Sequence, residues 1–224
     1  MVGKIFNAIM ANREQSEYYQ STGNNILNII SDKGTAGEWL IYRCLKNIPG
    51  HKHLLFNCYI PKEGGGTTEI DAVMVHASGI YVFESKNYSG WIFGSDTQKY
   101  WTQTLPAGNG MSHKVKFYSP VLQNRGHIRH LKKLLHGLGD LPYYSCIVFS
   151  ERCTLKSITL AQGRDFVFKR GDIYNVIYGS IIRNGDIIGN SMVDSVYERL
   201  LPFVRADRDV KQGHIDNINN NYKN

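Results

Sequence analysis

The stretch EIDAVMVHASGIYVFESKN, residues 69–87, limits the fold more than any other part of the chain. It holds two apolar runs rich in Val, Ile, Tyr and Phe, which are side chains that favour β-strands. A two-residue turn at Ala77–Ser78 would fold these runs into an antiparallel hairpin. Apolar residues occupy both faces of the runs, which is typical of strands buried in the middle of a layered α/β domain.

Three charged residues interrupt this apolar pattern: Asp71, Glu84 and Lys86. Because side chains alternate between the two faces of a strand, the register of the hairpin decides which of them meet. A turn at Ala77–Ser78 puts Asp71 opposite Glu84, whereas a shift by one residue puts Asp71 opposite Lys86. Both registers predict that the three side chains share one face.

Two carboxylates on opposite strands have Cβ atoms about 4.5–5.5 Å apart and destabilise the pair unless a positive charge lies between them. A divalent cation such as Mg²⁺ is held by one or two carboxylates together with water and phosphate oxygens. Lys86 would add an ammonium group that can orient an attacking water or stabilise a phosphate. The alternative is an ordinary surface ion-pair ladder, and the apolar neighbours of the three residues count against it.

The rest of the chain alternates helical and strand patterns around the hairpin. Helices are predicted at GTAGEWLIYRCLKNIPG, at PVLQNRGHIRHLKKLLHGLG with Pro in its first turn, and near 172–183 and 191–204. Strands are predicted at HLLFNCYI, WIFG, KYWTQT, YYSCIVFS and DFVFK, while residues 105–119 are expected to form a loop. The pattern predicts one domain over 32–205, a helical extension over 1–31 and a polar, disordered tail over 206–224.

Charge and cysteine usage narrow the class of partner and the compartment. The 26 Lys and Arg residues exceed the 19 Asp and Glu residues, giving a net charge of +7. This excess suits nucleic acid, although an ordinary basic surface has the same charge. Four cysteines without CxxC spacing predict reduced thiols in a cytoplasmic protein. No stretch approaches the ~18 apolar residues of a membrane span, so no membrane partner is expected.

Three segments, in the order GEWLIYRCL, EIDAVMVHASGIYVFESKNYSGWIFG and PVLQNRGHIRHL, resemble the nuclease-related domain (NERD) family over about residues 34–150. That family is similar to the PD-(D/E)xK nucleases. The resemblance therefore implies an α/β fold of the restriction-endonuclease-like kind, with a mixed central sheet flanked by helices. The Pro-Asp of the wider superfamily reads Ile70-Asp71 here, which is the NERD form, and the usual Asn-Pro before the second helix reads Ser119-Pro120.

The resemblance also implies a role for individual residues. Asp71 and Glu84 would be ligands of Mg²⁺ or Mn²⁺, and Glu38 would be the helix acid that assists them. Lys86 would be the catalytic lysine, and Gln123 would orient the site. From the residues alone, Glu38 is equally well explained by the favourable field of a helix N-terminus, and Gln123 by an exposed polar position. The implied activity is hydrolysis of phosphodiester bonds in nucleic acid, with DNA favoured over RNA.

The outer face of the helix that begins at Pro120 carries basic residues that we predict to contact phosphates: Arg125, Arg129, Lys132 and Lys133. His127 and His130 are three residues apart on this helix and could bind a metal, but their basic neighbours assign them to this same basic face. Four aromatic residues follow the hairpin and would either stack on bases or pack in a core: Tyr88, Trp91, Tyr100 and Trp101.

A second hypothesis is a nucleic-acid-binding or partner-recruiting module that has the same fold but little turnover. The complete acid–lysine set favours the enzyme. The sequence leaves open a homo-oligomer or a protein partner, and also an activity that requires an attached protein.

Overall fold

The computed structural model describes Tyr18, residues 33–161 and residues 163–204. The predicted tail at 206–224 lies outside the described residues, as does the predicted extension at 1–31 apart from Tyr18. The α-helices of the described part are α1 (Lys33–Leu45), α2 (Pro120–Leu134), α3 (Ile173–Asn184) and α4 (Asn190–Leu200), with short 3₁₀ helices at Arg170–Asp172 and Leu201–Phe203. None of these helices is long and apolar enough to cross a bilayer.

The strands form two sheets. They are β1 (Lys52–Pro61), β2 (Thr67–His76), β3 (Gly79–Lys86), β4 (Gly90–Ser95), β5 (Tyr100–Pro106), β6 (Ser112–Tyr118), β7 (Tyr143–Phe149), β8 (Cys153–Thr159) and β9 (Asp165–Lys169). The first sheet has the order β1-β2-β3-β7-β9, and the second has the order β6-β5-β4-β8.

The first sheet is mixed, because β1, β2 and β3 pair antiparallel while β3, β7 and β9 pair parallel. Helix α2 connects the second sheet to β7 and lets the chain return parallel to β3. The predicted hairpin register with the turn at Ala77–Ser78 is confirmed, since Val75 pairs with Ile80 and Val73 with Val82.

Two helices cover each face of the first sheet, and a cluster of buried apolar side chains lies between the sheet and the helices on each face. Residues of α2 and α4, such as Leu131 and Val196, pack on Val73 and Val82. Residues of α1 and α3 pack on the opposite face around Phe83. This sandwich of helices around a mixed sheet is the restriction-endonuclease-like α/β arrangement, so the fold prediction is confirmed.

The second sheet packs one face against the first sheet and the start of α2. Its Ile92 and Trp101 join Val121, Ile147 and Phe149 in a third buried cluster. Gly94 lets Trp101 approach closely, because a Cβ at residue 94 would lie only 2.2 Å from the indole. The chain passes from β3 of the first sheet to β4 of the second immediately after Lys86, so the end of β3 lies at the junction of the two sheets.

One prediction about the second sheet was wrong, and one of its strands was missed. Residues 112–118, expected to lie in a loop, form β6, which pairs with β5 from Tyr100–Tyr118 to Pro106–Ser112. Strand β8 was not predicted, because its sequence CTLKSIT is too polar to stand out as an apolar run. Both strands are edges of the second sheet with one solvated face, and such edges need few apolar residues.

Candidate active site

The end of β3 brings three of the expected site residues into direct contact. The Lys86 Nζ donates to Glu84 Oε1 at 2.6 Å and to Gln123 Oε1 at 3.1 Å. Glu84 is 3 % exposed, and the Lys86 side chain is 17 % exposed. Burial alone would lower the pKa of Lys86, but the charge and hydrogen bond of Glu84 outweigh it and raise the pKa above its ordinary value. The ammonium group is therefore charged and held from two sides.

Glu84 has a second partner that sequence reasoning placed wrongly. His127 is buried rather than on the basic outer face, and its Nε2 lies 3.1 Å from Glu84 Oε2. Because an ionised carboxylate can only accept, the imidazole donates here from Nε2. Its Nδ1 lies 2.8 Å from Thr68 Oγ1 on β2. Burial would raise the pKa of Glu84, but His127 and Lys86 together lower it, so this carboxylate is ionised.

Helix α2 presents Gln123 and His127 to the site because they lie four residues apart on one face. The helix begins at Pro120, and the Ser119 hydroxyl accepts from the Leu122 amide at 3.4 Å. Between them, Asn124 is fully buried and its Nδ2 donates to the Val82 carbonyl at 2.8 Å and to Ser145 Oγ at 3.0 Å. These two bonds tie the helix to β3 and β7, and they set the rotation at which Gln123 and His127 meet β3.

Asp71 lies where the ladder between β2 and β3 stops. The last recorded pair is Ala72–Phe83, and beyond it Asp71 Oδ2 accepts the backbone N–H of Ser85 at 2.7 Å. A carboxylate thus replaces the backbone acceptor, and the two strands separate at this point. Burial and the nearby charge of Glu84 raise the pKa of Asp71 well above its ordinary value, although the Ser85 amide and Lys86 oppose the shift.

The alternation of β2 also breaks at Asp71, which strict period-two reasoning did not predict. Ile70 and Val73 belong to the buried cluster under α2 and α4, whereas Ala72 belongs to the cluster on the other face. On the neighbouring strand β1, Asn57 has a positive φ of 52°. The pairs before and after it, Phe56–Ala72 and Cys58–Ile70, have the same register, so the irregularity is confined to this one position on each strand. Asn tolerates this left-handed conformation better than most residues. The break frees Asp71 from the regular pleat.

Glu38 reaches the same region from α1, on the opposite face of the sheet. Its Oε2 accepts from Asn57 Nδ2 at 3.0 Å and from the Tyr18 hydroxyl at 3.5 Å. Glu38 contributes to the raised pKa of Asp71 through its charge. The pKa of Tyr59 is raised mainly by burial, and the negative charges of Glu69, Glu38 and Asp71 add to this effect. The Tyr59 hydroxyl donates to Glu69 at 2.8 Å. An acidic neighbourhood therefore surrounds the break in β1 and β2.

The donors in this neighbourhood suit a hard cation. Carboxylate oxygens are the ligands that Mg²⁺ and Mn²⁺ prefer, and the mutual repulsion of Asp71 and Glu84 is relieved by a positive charge. Within the described residues, however, the ligating oxygens of Glu38, Asp71 and Glu84 do not all lie within 4.8 Å of one another. The three carboxylates therefore do not form one compact ligand set, and an ion held by two of them would complete its coordination with water and phosphate oxygens.

The four basic residues expected to contact phosphates are placed differently from one another. Arg125 is paired internally, with Nη2 at 2.6 Å from Asp165 and 3.0 Å from Asp96. Lys133 pairs with Glu63, whereas Arg129 and Lys132 are exposed. The two carboxylates around Arg125 neutralise its charge, which counts against a contact with phosphate.

The second sheet presents a solvated face that mixes aromatic and basic side chains. Trp91 is 50 % exposed, and the Lys156 Nζ lies 5.3 Å from the centre of its ring. Thr104 pairs with Trp91 on one side and with Lys114 on the other, so the row crosses the sheet with exposed residues on either side of the buried Thr104. Of the other aromatic residues named from the sequence, Tyr100 is also exposed while Trp101 is buried. Sequence reasoning did not assign Lys114 or Lys156, because both lie on strands that it missed.

Fold and site together define a nuclease-like class of protein, in which acids and a lysine meet at the end of a central strand in a restriction-endonuclease-like domain. The sequence profile of the nuclease-related domain (NERD) family matches residues 33–150, and the chain belongs to this family. It is also 31 % identical to an uncharacterized protein of Bacillus anthracis over 192 residues, which cover 85 % of each chain. The resemblance stated from the sequence is thereby confirmed, including its extent along the chain.

Proposed function

We propose that this protein is a metal-dependent nuclease that hydrolyses phosphodiester bonds in nucleic acid, with DNA preferred over RNA. The observation that carries the proposal is the Lys86 ammonium held between Glu84 and Gln123, beside Asp71 at the end of β3. A charged donor next to paired carboxylates is the set of groups that phosphodiester hydrolysis needs.

Asp71 and Glu84 would hold Mg²⁺ or Mn²⁺, with Glu38 assisting directly or through water. When bound, the ion lowers the pKa of a water and offsets charge on the phosphate. Lys86 orients the attacking water or stabilises the negative charge that develops on the phosphate. Gln123 keeps the ammonium of Lys86 in place, and His127 keeps the carboxylate of Glu84 in place.

The nucleic acid would be held by contacts outside this site. Exposed Arg129 and Lys132 on α2 and the face of Trp91, Lys114 and Lys156 on the second sheet offer positive charge and a ring for stacking. Contacts of this kind make binding fall steeply as salt rises.

A binding module with little turnover is the second candidate. It is favoured by the occupancy of both Glu84 oxygens, since Lys86 and His127 each donate to one of them. An ion must compete with these two internal donors for the carboxylate, and a strong internal pair makes that competition unfavourable.

Cleavage assays separate the two candidates. Supercoiled, linear and single-stranded DNA and an RNA of matched length are incubated with Mg²⁺, Mn²⁺ or EDTA. The wild type is compared with Glu84→Gln, Lys86→Met and the control Arg183→Met, an exposed residue of α3 on the opposite side of the sheet. The enzyme hypothesis expects metal-dependent cutting that falls at least about 100-fold in the two site variants and persists in the control.

The binding hypothesis expects no cutting under any condition and equal retardation of DNA by all four proteins. Cutting that survives in both Glu84→Gln and Lys86→Met, with the variants folded by circular dichroism, would falsify the role proposed for this site. Cleavage of RNA in preference to DNA contradicts the substrate assignment alone.

A further inference from the structure

Two histidines at the start of β1 and one aspartate of α4 converge on a single point. His51 Nε2 lies 2.7 Å from Asp194 Oδ1, and His53 Nε2 lies 2.8 Å from the same oxygen. The three ligating atoms lie within 4.8 Å of one another, and no other such group of three His, Cys, Asp or Glu ligands occurs among the residues that the structure describes. We infer that His51, His53 and Asp194 form a binding site for a zinc-class divalent cation.

The sequence produces this convergence through two periodicities. His53 lies in β1 and His51 comes directly before its first residue, and because they are two residues apart in extended chain, both can point to the same side. That face is covered by α4, whose Val193 and Val196 pack in the cluster beneath it. Asp194 follows Val193 on the helix, at the edge of this buried stripe, and meets both imidazoles there.

The spacing of the three atoms suits a tetrahedral ion. Zinc binds imidazole nitrogen at about 2.0–2.1 Å and carboxylate oxygen at about 2.0–2.2 Å, which places neighbouring ligands about 3.3 Å apart. The present distances of 2.7 and 2.8 Å between nitrogen and oxygen need to open by only a fraction of an ångström. Each imidazole would shift its proton to Nδ1 and bind through Nε2 in its neutral form.

The ligand set distinguishes this site from the proposed nuclease site. Imidazoles favour Zn²⁺, Cu²⁺, Ni²⁺ and Co²⁺, whereas Mg²⁺ favours oxygen alone. His53 pairs with Val75 of β2, and Asp71 lies four residues before Val75 on the same strand. At a rise of about 3.3 Å per residue, the two sites are therefore about 13 Å apart along the strand.

Neighbouring groups hold the ligands while leaving a coordination position open. The His53 ring stacks on Tyr197 of α4, with centroids 4.0 Å apart and an interplanar angle of 15°. The side chains of His51, His53 and Asp194 are 37 %, 28 % and 49 % exposed, so water can reach the point where they meet. Three protein ligands and one water complete a tetrahedral site. The bound ion would fasten α4, near the end of the described chain, to the first strand of the central sheet.

The test measures zinc binding directly. Metal-free full-length protein is titrated with Zn²⁺ by calorimetry, and Co²⁺ is added in parallel to follow the visible absorption bands of tetrahedral cobalt. We expect one equivalent of Zn²⁺ that excess Mg²⁺ does not displace. At a hundredfold excess over Kd, Zn²⁺ should raise the Tm by roughly 5–10 °C, because the ion binds only the folded protein.

Asp194→Asn and His51→Gln should each weaken this binding at least about tenfold. The control Glu198→Gln removes an exposed carboxylate one turn further along α4 and should bind as the wild type does. Because His51 is exposed, its substitution leaves the fold intact and keeps the test decisive if Asp194→Asn unfolds. Absence of saturable zinc binding, or equal affinity in wild type and His51→Gln, overturns the inference. The nuclease assay does not enter into either result.

Discussion

The ion pair between Lys86 and Glu84 allows a quantitative prediction that does not depend on any activity. At 2.6 Å and an effective dielectric constant of about 20, two unit charges attract by about 6 kcal/mol before desolvation is subtracted. Removal of one partner from a buried pair typically costs about 3–5 kcal/mol. Lys86 keeps 17 % exposure and Glu84 retains His127, so we expect Lys86→Met to lower the free energy of unfolding by about 3 kcal/mol.

A double-mutant cycle isolates the pair from the packing of the lysine stem. Glu84→Gln, Lys86→Met and the double variant are unfolded in urea at neutral pH with EDTA present. The double variant removes both charges of this pair together, so it should lose about 2 kcal/mol less than the sum of the two single losses. Mg²⁺ should stabilise Lys86→Met more than the wild type, since the ion then replaces the missing ammonium beside Asp71 and Glu84.

A coupling energy below about 0.5 kcal/mol would be that of an exposed pair. This result would refute the reasoning, because it would mean that the ammonium group is solvated and does not compensate Glu84. An equal response of wild type and Lys86→Met to Mg²⁺ would refute the assignment of the two carboxylates to an ion.

Three further predictions concern neighbouring groups. Burial and Glu84 raise the pKa of Asp71, so the ionised form of Asp71 destabilises the folded state above that raised pKa. Asp71→Asn should therefore stabilise the metal-free protein by about 0.5–2 kcal/mol at pH 7.5. This gain should vanish below the ordinary aspartate pKa of about 3.9, where the carboxyl is protonated in both the folded and the unfolded state. Urea unfolding at pH 7.5 and at low pH checks this, and a loss of stability at pH 7.5 contradicts it. His127→Ala should reduce cutting about 10–100-fold, whereas His127→Gln, which can still donate to the carboxylate, should recover part of the rate; equal rates in the two variants argue against positioning. Lys114→Gln combined with Lys156→Gln should lower the salt dependence of DNA affinity by about 2 in the log–log slope, measured by fluorescence anisotropy, and an unchanged slope excludes the second sheet from the interface.

The hairpin shows how far periodicity predicts this fold. Its apolar runs and the short turn at Ala77–Ser78 are local signals that predicted the hairpin and limited it to two registers, of which the structure has the one that pairs Val73 with Val82. The same reasoning failed at Asp71, because the break in β2 depends on the left-handed Asn57 of the neighbouring strand. A conformation that two strands impose on each other has no signature in either one alone.

The site was predicted in part, for a related reason. Glu84, Lys86 and Gln123 meet as expected, since a strand end and a helix start were both visible in the sequence. His127 was placed on the solvated face, because the buried stripe of α2 was drawn through apolar residues only. In the structure Asn124 and His127 belong to that stripe, and their partners lie on strands distant in sequence. Polar residues in a buried stripe are assigned correctly only when those partners are known.

Because Asn124 anchors α2 to the sheet, the number of residues between Asn124 and the site residues of this helix cannot change without displacing those residues. One residue inserted between Gln123 and Asn124 would turn Gln123 by about 100° around the helix axis relative to the anchor and carry it away from Lys86. The loop at 107–111, which joins β5 to β6 at the surface, has no comparable anchor recorded among the described side chains. Changes of chain length should therefore accumulate at 107–111 during divergence, while the interval from Ser119 to His127 keeps its count of residues.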